Sequence, residues 1–239
     1  MHIVASNETI VLVIKFRIGG SLRFLSHAET VRVFQRACRR AGIEIQHSQG
    51  YNPHPKLSLP LPRPVGVESE DELLCLRVGK STSAQEQKST SDLCASIEKR
   101  LSEQLPEGIE LLSVDVAESN TSFHPCLVTY VLPIKQTCPE RELSTRIEQS
   151  LARGNLIVER HKKTKISDFK SQNSNFRCVD VRPFLESIKL DDSCIIVECK
   201  YTNAGSIRVE EILKLLEIDV ENLTGPIRRT KVKFVSREA

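Results

Sequence analysis

The stretch Ile10-Val11-Leu12-Val13-Ile14-Lys15-Phe16-Arg17-Ile18 is β-branched and apolar and ends in alternation. It reads as a buried strand. Gly19-Gly20 breaks it. Ser26-His27-Ala28-Glu29 then has the form of a capping box, in which Ser26 and Glu29 satisfy free backbone N–H groups at a helix start. A helix is expected to about Ala41, with Gly42 as its stop. Val31, Phe34, Cys38 and Ala41 share one face of it, and Arg32, Arg36, Arg39 and Arg40 lie on another.

Working outward, residues 46 to 66 contain Pro53, Pro55, Pro60, Pro62 and Pro64. Proline at that density forbids a helix and a central strand, so the run reads as an ordered extended segment leading into an edge strand. Glu72 to Val78 is a second strand. Lys80 to Thr90 is polar and reads as a loop. Ser91-Asp92 caps a helix through Leu105, and Ile109 to Val116 is a strand. The order strand, helix, extended segment, strand, helix, strand is the β-α-β-β-α-β arrangement of ferredoxin-like units.

The order then recurs. Strands are expected at 127–134, 156–160, 178–188 (closing in a helical turn), 194–201 and 229–235, with helices at 139–151 and 207–216. Residues 161–176 form a polar insert. The expected fold class is α+β, a tandem of two ferredoxin-like units covering residues 1–118 and 119–239. The repeat is one of element order, not of matching residues.

Composition narrows the function classes. The chain has 239 residues, 39% hydrophobic and 27% charged, with net charge +3. These are values of a globular protein with a core, not of a disordered chain, collagen or a coiled coil. No run approaches 18 apolar residues, so no spanning helix is expected. The N-terminus lacks the basic start of a signal peptide, and a cytoplasmic location is expected. Eight cysteines include no closely spaced pair, which disfavours zinc ribbons, CxxC redox sites and iron–sulfur motifs. They read as reduced, mostly buried small hydrophobes. No cofactor and no metal site are expected.

Charge is uneven. Residues 15–63 hold nine bases against two acids, a net +7, so the rest of the chain carries −4. Clustered arginine is the footprint of phosphate-rich partners, with a merely solvated helix face as the alternative. The candidate nucleic-acid contacts are Arg23, Arg32, Arg36, Arg39, Arg40, Tyr51, Asn52, His54, Lys56 and Arg63. The arginines suit phosphates, and Tyr51 suits stacking on a base or plugging the loop onto the core. His27, at a helix start, and His54, between two prolines, are candidate acid–base groups. Arg182, Arg228 and Arg229 read as salt-bridged structural residues. No GxxxxGK, HExxH, GxSxG or paired-carboxylate motif is present.

Several runs carry a family resemblance: Leu22 to His27, Arg32 to Gly42, Ser48-Gln49-Gly50-Tyr51-Asn52-Pro53-His54-Pro55-Lys56, and Pro62 to Ser69. They resemble the bacterial radical-SAM-linked domain of unknown function, which stands alone or is fused behind radical SAM proteins with a cobalamin-binding-type region. Asp180-Val181-Arg182-Pro183 and Ile227-Arg228-Arg229-Thr230 match its C-terminal pattern. Where the family usually has Asp, this chain has Glu29, which preserves the cap. The resemblance implies association with a radical SAM protein in trans and a link to RNA metabolism. The chain lacks CxxxCxxC and is too short for a barrel plus extra domains, so it is not itself a radical SAM enzyme. Three classes stay open: a noncatalytic RNA-binding or RNA-presenting module, a protein-interaction adaptor, and a metal-independent endoribonuclease.

Overall fold

The computed structural model describes residues 9–79, 89–136, 140–161 and 176–238. The loop expected from Lys80 and the polar insert expected from residue 161 fall mostly on 80–88 and 162–175, outside the described residues. The elements run β1 (Thr9–Ile18), α1 (His27–Arg40), β2 (Leu57–Ser58), β3 (Glu68–Gly79), α2 (Thr90–Ser102), β4 (Ile109–Ala117) and β5 (Thr121–Pro133). They continue through α3 (Glu140–Ala152), β6 (Ile157–His161), β7 (Phe176–Asp180), β8 (Leu185–Asp191), β9 (Cys194–Lys200), α4 (Val209–Leu215) and β10 (Arg228–Glu238). The class is α+β.

Contacts within the chain divide it into two units, Met1–Pro125 with Ile227–Ala239, and Cys126–Pro226. The last strand, expected from the sequence to close the second unit, groups with the first. In the first unit β1 lies between β4 and β3, antiparallel to both, and β2 pairs antiparallel with β3. β10 adds a short parallel pairing, Arg228 opposite Glu68 and Arg229 opposite Ser69.

Alternation in β1 turns Leu12, Ile14, Phe16 and Ile18 into the core, where Leu74, Leu76 and Val78 of β3 meet them. Helix α1 closes this core with Phe34, Ala37, Cys38 and Ala41, a stripe at helical spacing. The rings of Phe16 and Phe34 meet edge to face at 4.6 Å. Burying one large apolar side chain of this kind contributes about 1.5–3 kcal/mol.

Both ends of α1 are set by local sequence. The Ser26 Oγ accepts from the Glu29 N–H at 3.3 Å, and the Ser26 N–H donates to the Glu29 carboxylate at 2.8 Å. At the other end Gly42 takes φ +65°, which only glycine adopts without strain. The Ile43 N–H then reaches the Cys38 carbonyl at 2.9 Å and the Gly42 N–H reaches Arg39 at 3.3 Å, the paired bonds of a Schellman stop. This stop swings Ile43 back under the helix, where it is buried.

In the second unit β9 lies between β5 and β8, antiparallel to both, while β6 and β7 form a separate two-stranded ribbon. The β-α-β-β-α-β order read for this half is therefore altered: the strand expected at 178–188 is two strands, β7 and β8. A 3₁₀ turn at Arg182–Phe184, with proline in its first turn, separates them. Helix α4 is fixed by Glu211, which accepts from the Arg208 N–H at 2.8 Å and from both ends of the Arg160 fork at 2.7 and 2.8 Å.

Candidate nucleic-acid interface

The basic residues of the N-terminal unit separate into two groups once their partners are known. Arg32, Arg36, Arg39 and Arg40 are exposed on α1. Arg40 is spent within the fold: its guanidinium donates to the Gln104 backbone carbonyl at 2.6 Å and to its side chain at 3.2 Å. Arg32 lies in the field of Glu29. That carboxyl is held below its ordinary value chiefly by its hydrogen bonds with Ser26 and also by Arg32. Among the described residues, the guanidinium groups of Arg36 and Arg39 make no hydrogen bond or ion pair.

Arg36 and Arg39 border a groove of about 720 Å³ at the C-terminal end of α1. Gln35 shares their wall. The helix stop supplies Gly42, Ile43, Glu44 and Ile45, and the proline-rich segment supplies His47 and Pro55. The groove thus combines two uncommitted guanidinium groups with an apolar wall, and Glu44 is its single carboxylate. A volume of this size is within the range of about 300–1,000 Å³ common to ligand clefts.

The proline-rich segment is held against the sheet by its backbone. The Gln46 N–H reaches the Arg77 carbonyl at 2.8 Å, and the Arg77 N–H reaches Lys56 at 2.9 Å. His47 bridges Pro55, the Ser48 N–H donates to His54 at 2.8 Å, and the His54 N–H donates to the Ser48 hydroxyl at 2.9 Å. These bonds close a short loop whose tip presents Gly50, Tyr51, Asn52 and Pro53 to solvent. Tyr51 is 101% exposed, so it does not plug the loop onto the core. Asn52 and His54 are exposed and Lys56 is half-buried.

Arg63 and Arg23 are committed elsewhere. Arg63 is buried, and its guanidinium donates to the carbonyls of Arg23, Pro64, Val67, Leu22 and Leu25. Burial pulls its pKa down, while Glu72 opposes that shift. The expectation that Arg63 extends a basic surface track is corrected on that ground: its donors staple the turn before α1 to the proline-rich segment. Arg23 donates to the Gly20 carbonyl at 2.8 Å and lies over the Phe24 ring at 4.4 Å.

His27 borders a cavity of about 10 Å³ with Arg63, Glu72 and apolar side chains of the core. His54 belongs to the 48–54 loop. The two imidazoles thus sit in different settings. Among the described residues no group of three or more His, Cys, Asp or Glu side chains is placed to hold a metal ion. A second cleft, of about 520 Å³, is rimmed by Glu68, Glu70 and Glu110 with Arg17, a charge balance unsuited to a polyanion.

Arg229 is salt-bridged, as expected from the sequence, but its partner was not foreseen: its guanidinium meets the Glu72 carboxylate inside the N-terminal unit. One signal was available: Glu72 has the same strand parity as Leu74, Leu76 and Val78, so it points inward. Arg182 is structural as expected, but through the carbonyls of Arg153, Leu185 and Leu151 rather than through a carboxylate. Arg228 pairs with Glu70 at 3.1 Å.

These features describe an α+β protein with a basic, solvent-open groove beside its first helix. The chain belongs to the family described as "Uncharacterized protein conserved in bacteria (DUF2344)", whose model matches residues 12–210 and so includes α1 and the groove. No curated protein matches it. Among solved structures it is similar to an unknown protein from Galdieria sulphuraria. That likeness is 12% identity over 95% of this chain and 98% of the other, with a TM-score of 0.23, too low to carry an argument. No helix of the described residues is long and apolar enough to cross a membrane.

Proposed function

We propose that this chain is a noncatalytic module that binds or presents RNA through the basic face of α1, in the service of a radical SAM enzyme acting in trans. The observation that carries the RNA reading is the uncommitted state of Arg36 and Arg39. A guanidinium with no internal partner is free to take a phosphate bidentately, and two of them one helical turn apart match a phosphodiester strand. The radical SAM association rests on the resemblance of residues 12–78 to the radical-SAM-linked domain, together with the absence of a cluster motif in the chain itself.

One observation favours a second reading, a protein-interaction adaptor. Phe24 is 58% exposed and Val65 is 62% exposed, and the Phe24 ring lies beside Gly66, the chain neighbour of Val65. Affinity purification from native lysate, split with and without ribonuclease, separates the two. The RNA module retains a radical SAM protein and a discrete RNA that ribonuclease removes. A protein partner with no enriched RNA supports the adaptor and overturns the RNA reading. Metal-free cleavage of bound RNA, lost in His54→Ala, overturns the noncatalytic part.

A further inference from the structure

Resting on the reading of the basic face, we infer that the RNA it takes is single-stranded, with one unpaired base stacked on Tyr51 and the adjoining strand laid in the groove beside Arg36 and Arg39.

Tyr51 carries the first half of the inference. Its ring has no packing role in the described structure, since it is 101% exposed. The loop that holds it is nevertheless closed by the His47–Pro55 bridge and by the two hydrogen bonds between Ser48 and His54. Gly50, at φ +133°, makes a turn that a residue with a Cβ would strain. A backbone closed in this way needs less ordering when a ligand binds, and it holds the ring out in solvent where a base can stack on it. Bases stack on such rings without sequence preference, because every base has a π-face.

The groove carries the second half. Arg36 and Arg39 line it together with the half-buried Ile45 and Pro55, which offer apolar surface. Phosphates belong on the arginine side, and the apolar wall suits the face of an unpaired base. His47 and Pro55 line the groove and also form the base of the Tyr51 loop, so a strand leaving the groove passes beside that loop.

A duplex does not fit these features. In A-form RNA the bases are stacked on one another, and proteins reach mainly phosphates and 2′-hydroxyls across the shallow groove. Neither Ile45 nor Tyr51 would then meet a base face, and both would lie against the charged backbone. Glu44, on the same rim, would repel a second phosphate strand.

The test uses the full chain with a fluorescently labelled single-stranded RNA of mixed sequence and the blunt duplex of the same length. The chain has no tryptophan and three tyrosines, of which Tyr130 is buried and Tyr201 half-buried. Quenching of tyrosine emission therefore reports chiefly on Tyr51. The expected result is tighter binding of the single strand, with quenching. Tyr51→Ala should lose about 5- to 140-fold in single-strand affinity, and Tyr51→Phe should retain most of it. Because Tyr51 packs on nothing, both variants should melt as the parent does. Equal binding of strand and duplex, or an unaltered Tyr51→Ala affinity, overturns this inference and leaves the basic-face reading standing. No binding of either RNA overturns both.

Discussion

Arg229 and Glu72 form an ion pair inside the N-terminal unit, with side chains 0% and 5% exposed. The pair ties the C-terminal strand β10 to the inward face of β3. Ser69 adds a further contact, its hydroxyl lying 3.4 Å from the Arg229 Nε, and the Pro62 carbonyl accepts from Arg229 at 3.3 Å.

Removing one member of that pair should be costly, because the other stays behind as a buried charge. Glu72→Gln and Arg229→Met should each destabilise the chain by about 3–5 kcal/mol in urea denaturation. Glu72→Gln also leaves two buried guanidinium groups, Arg229 and Arg63, facing each other without the carboxylate. Replacing both members by apolar residues of similar volume should recover most of the loss.

Arg63 separates a structural arginine from a phosphate-binding one. Arg63→Ala strips donors from several carbonyls and should cost at least about 3 kcal/mol. At a temperature where the variant is folded, its RNA affinity and salt dependence should equal those of the parent. A reduced salt dependence would return Arg63 to the RNA surface.

The pair of Arg160 with Glu211 predicts a pH dependence that weakens when Arg160 is removed. Burial pushes the Glu211 carboxyl up, but the hydrogen bonds from Arg160 and the Arg208 N–H outweigh it, and the net shift is downward from 4.5. A carboxyl lowered on folding contributes stability above its unfolded pKa and loses it as pH falls through the folded value. The second unit should thus weaken in acid. In Arg160→Met the contribution of Arg160 is lost and only Arg208 still opposes burial, so the folded pKa rises toward the unfolded value. Stability should then be lower at neutral pH and should fall less in acid than in the parent, as read by chemical denaturation across the acid range.

The thiols should divide by burial. Desolvation pushes Cys38 and Cys199 up to about 12 and Cys75 up to about 11, whereas Cys178 is exposed on β7. A thiol-specific reagent at neutral pH should label Cys178 in the native chain and reach Cys38, Cys75 and Cys199 only on unfolding. Peptide mapping by mass spectrometry reads the order.

Much of the fold was legible because local signals agreed with the global packing. The alternation of β1 and the capping box at Ser26 place the first strand and helix within a residue or two of where they lie. The arginines of α1 were also legible as a face, since helical spacing decides which side chains are neighbours. What the sequence hid was the destination of long side chains. Arg63, among prolines, looks like a surface base, but its five carbonyl partners lie either beside it or some forty residues earlier. Arg40 likewise finds Gln104 across the fold. The ribbon of β6 and β7 and the split of 178–188 into two strands were hidden too. They depend on a 3₁₀ turn at Arg182-Pro183-Phe184, where the Asp180 carboxylate accepts from the Arg182 N–H and also from the N–H of the distant Leu156, while the Phe184 N–H reaches the Val181 carbonyl.

The most direct test of the account is the salt dependence of RNA binding by the parent and by Arg36→Ala/Arg39→Ala, followed by fluorescence anisotropy with a single-stranded RNA. Each phosphate contact on a single strand contributes about 0.7 to the slope of log affinity against log salt. The account predicts that the double variant binds more weakly and that its slope falls by about 1.4. An unchanged affinity and slope, or salt-independent binding by the parent, would contradict it.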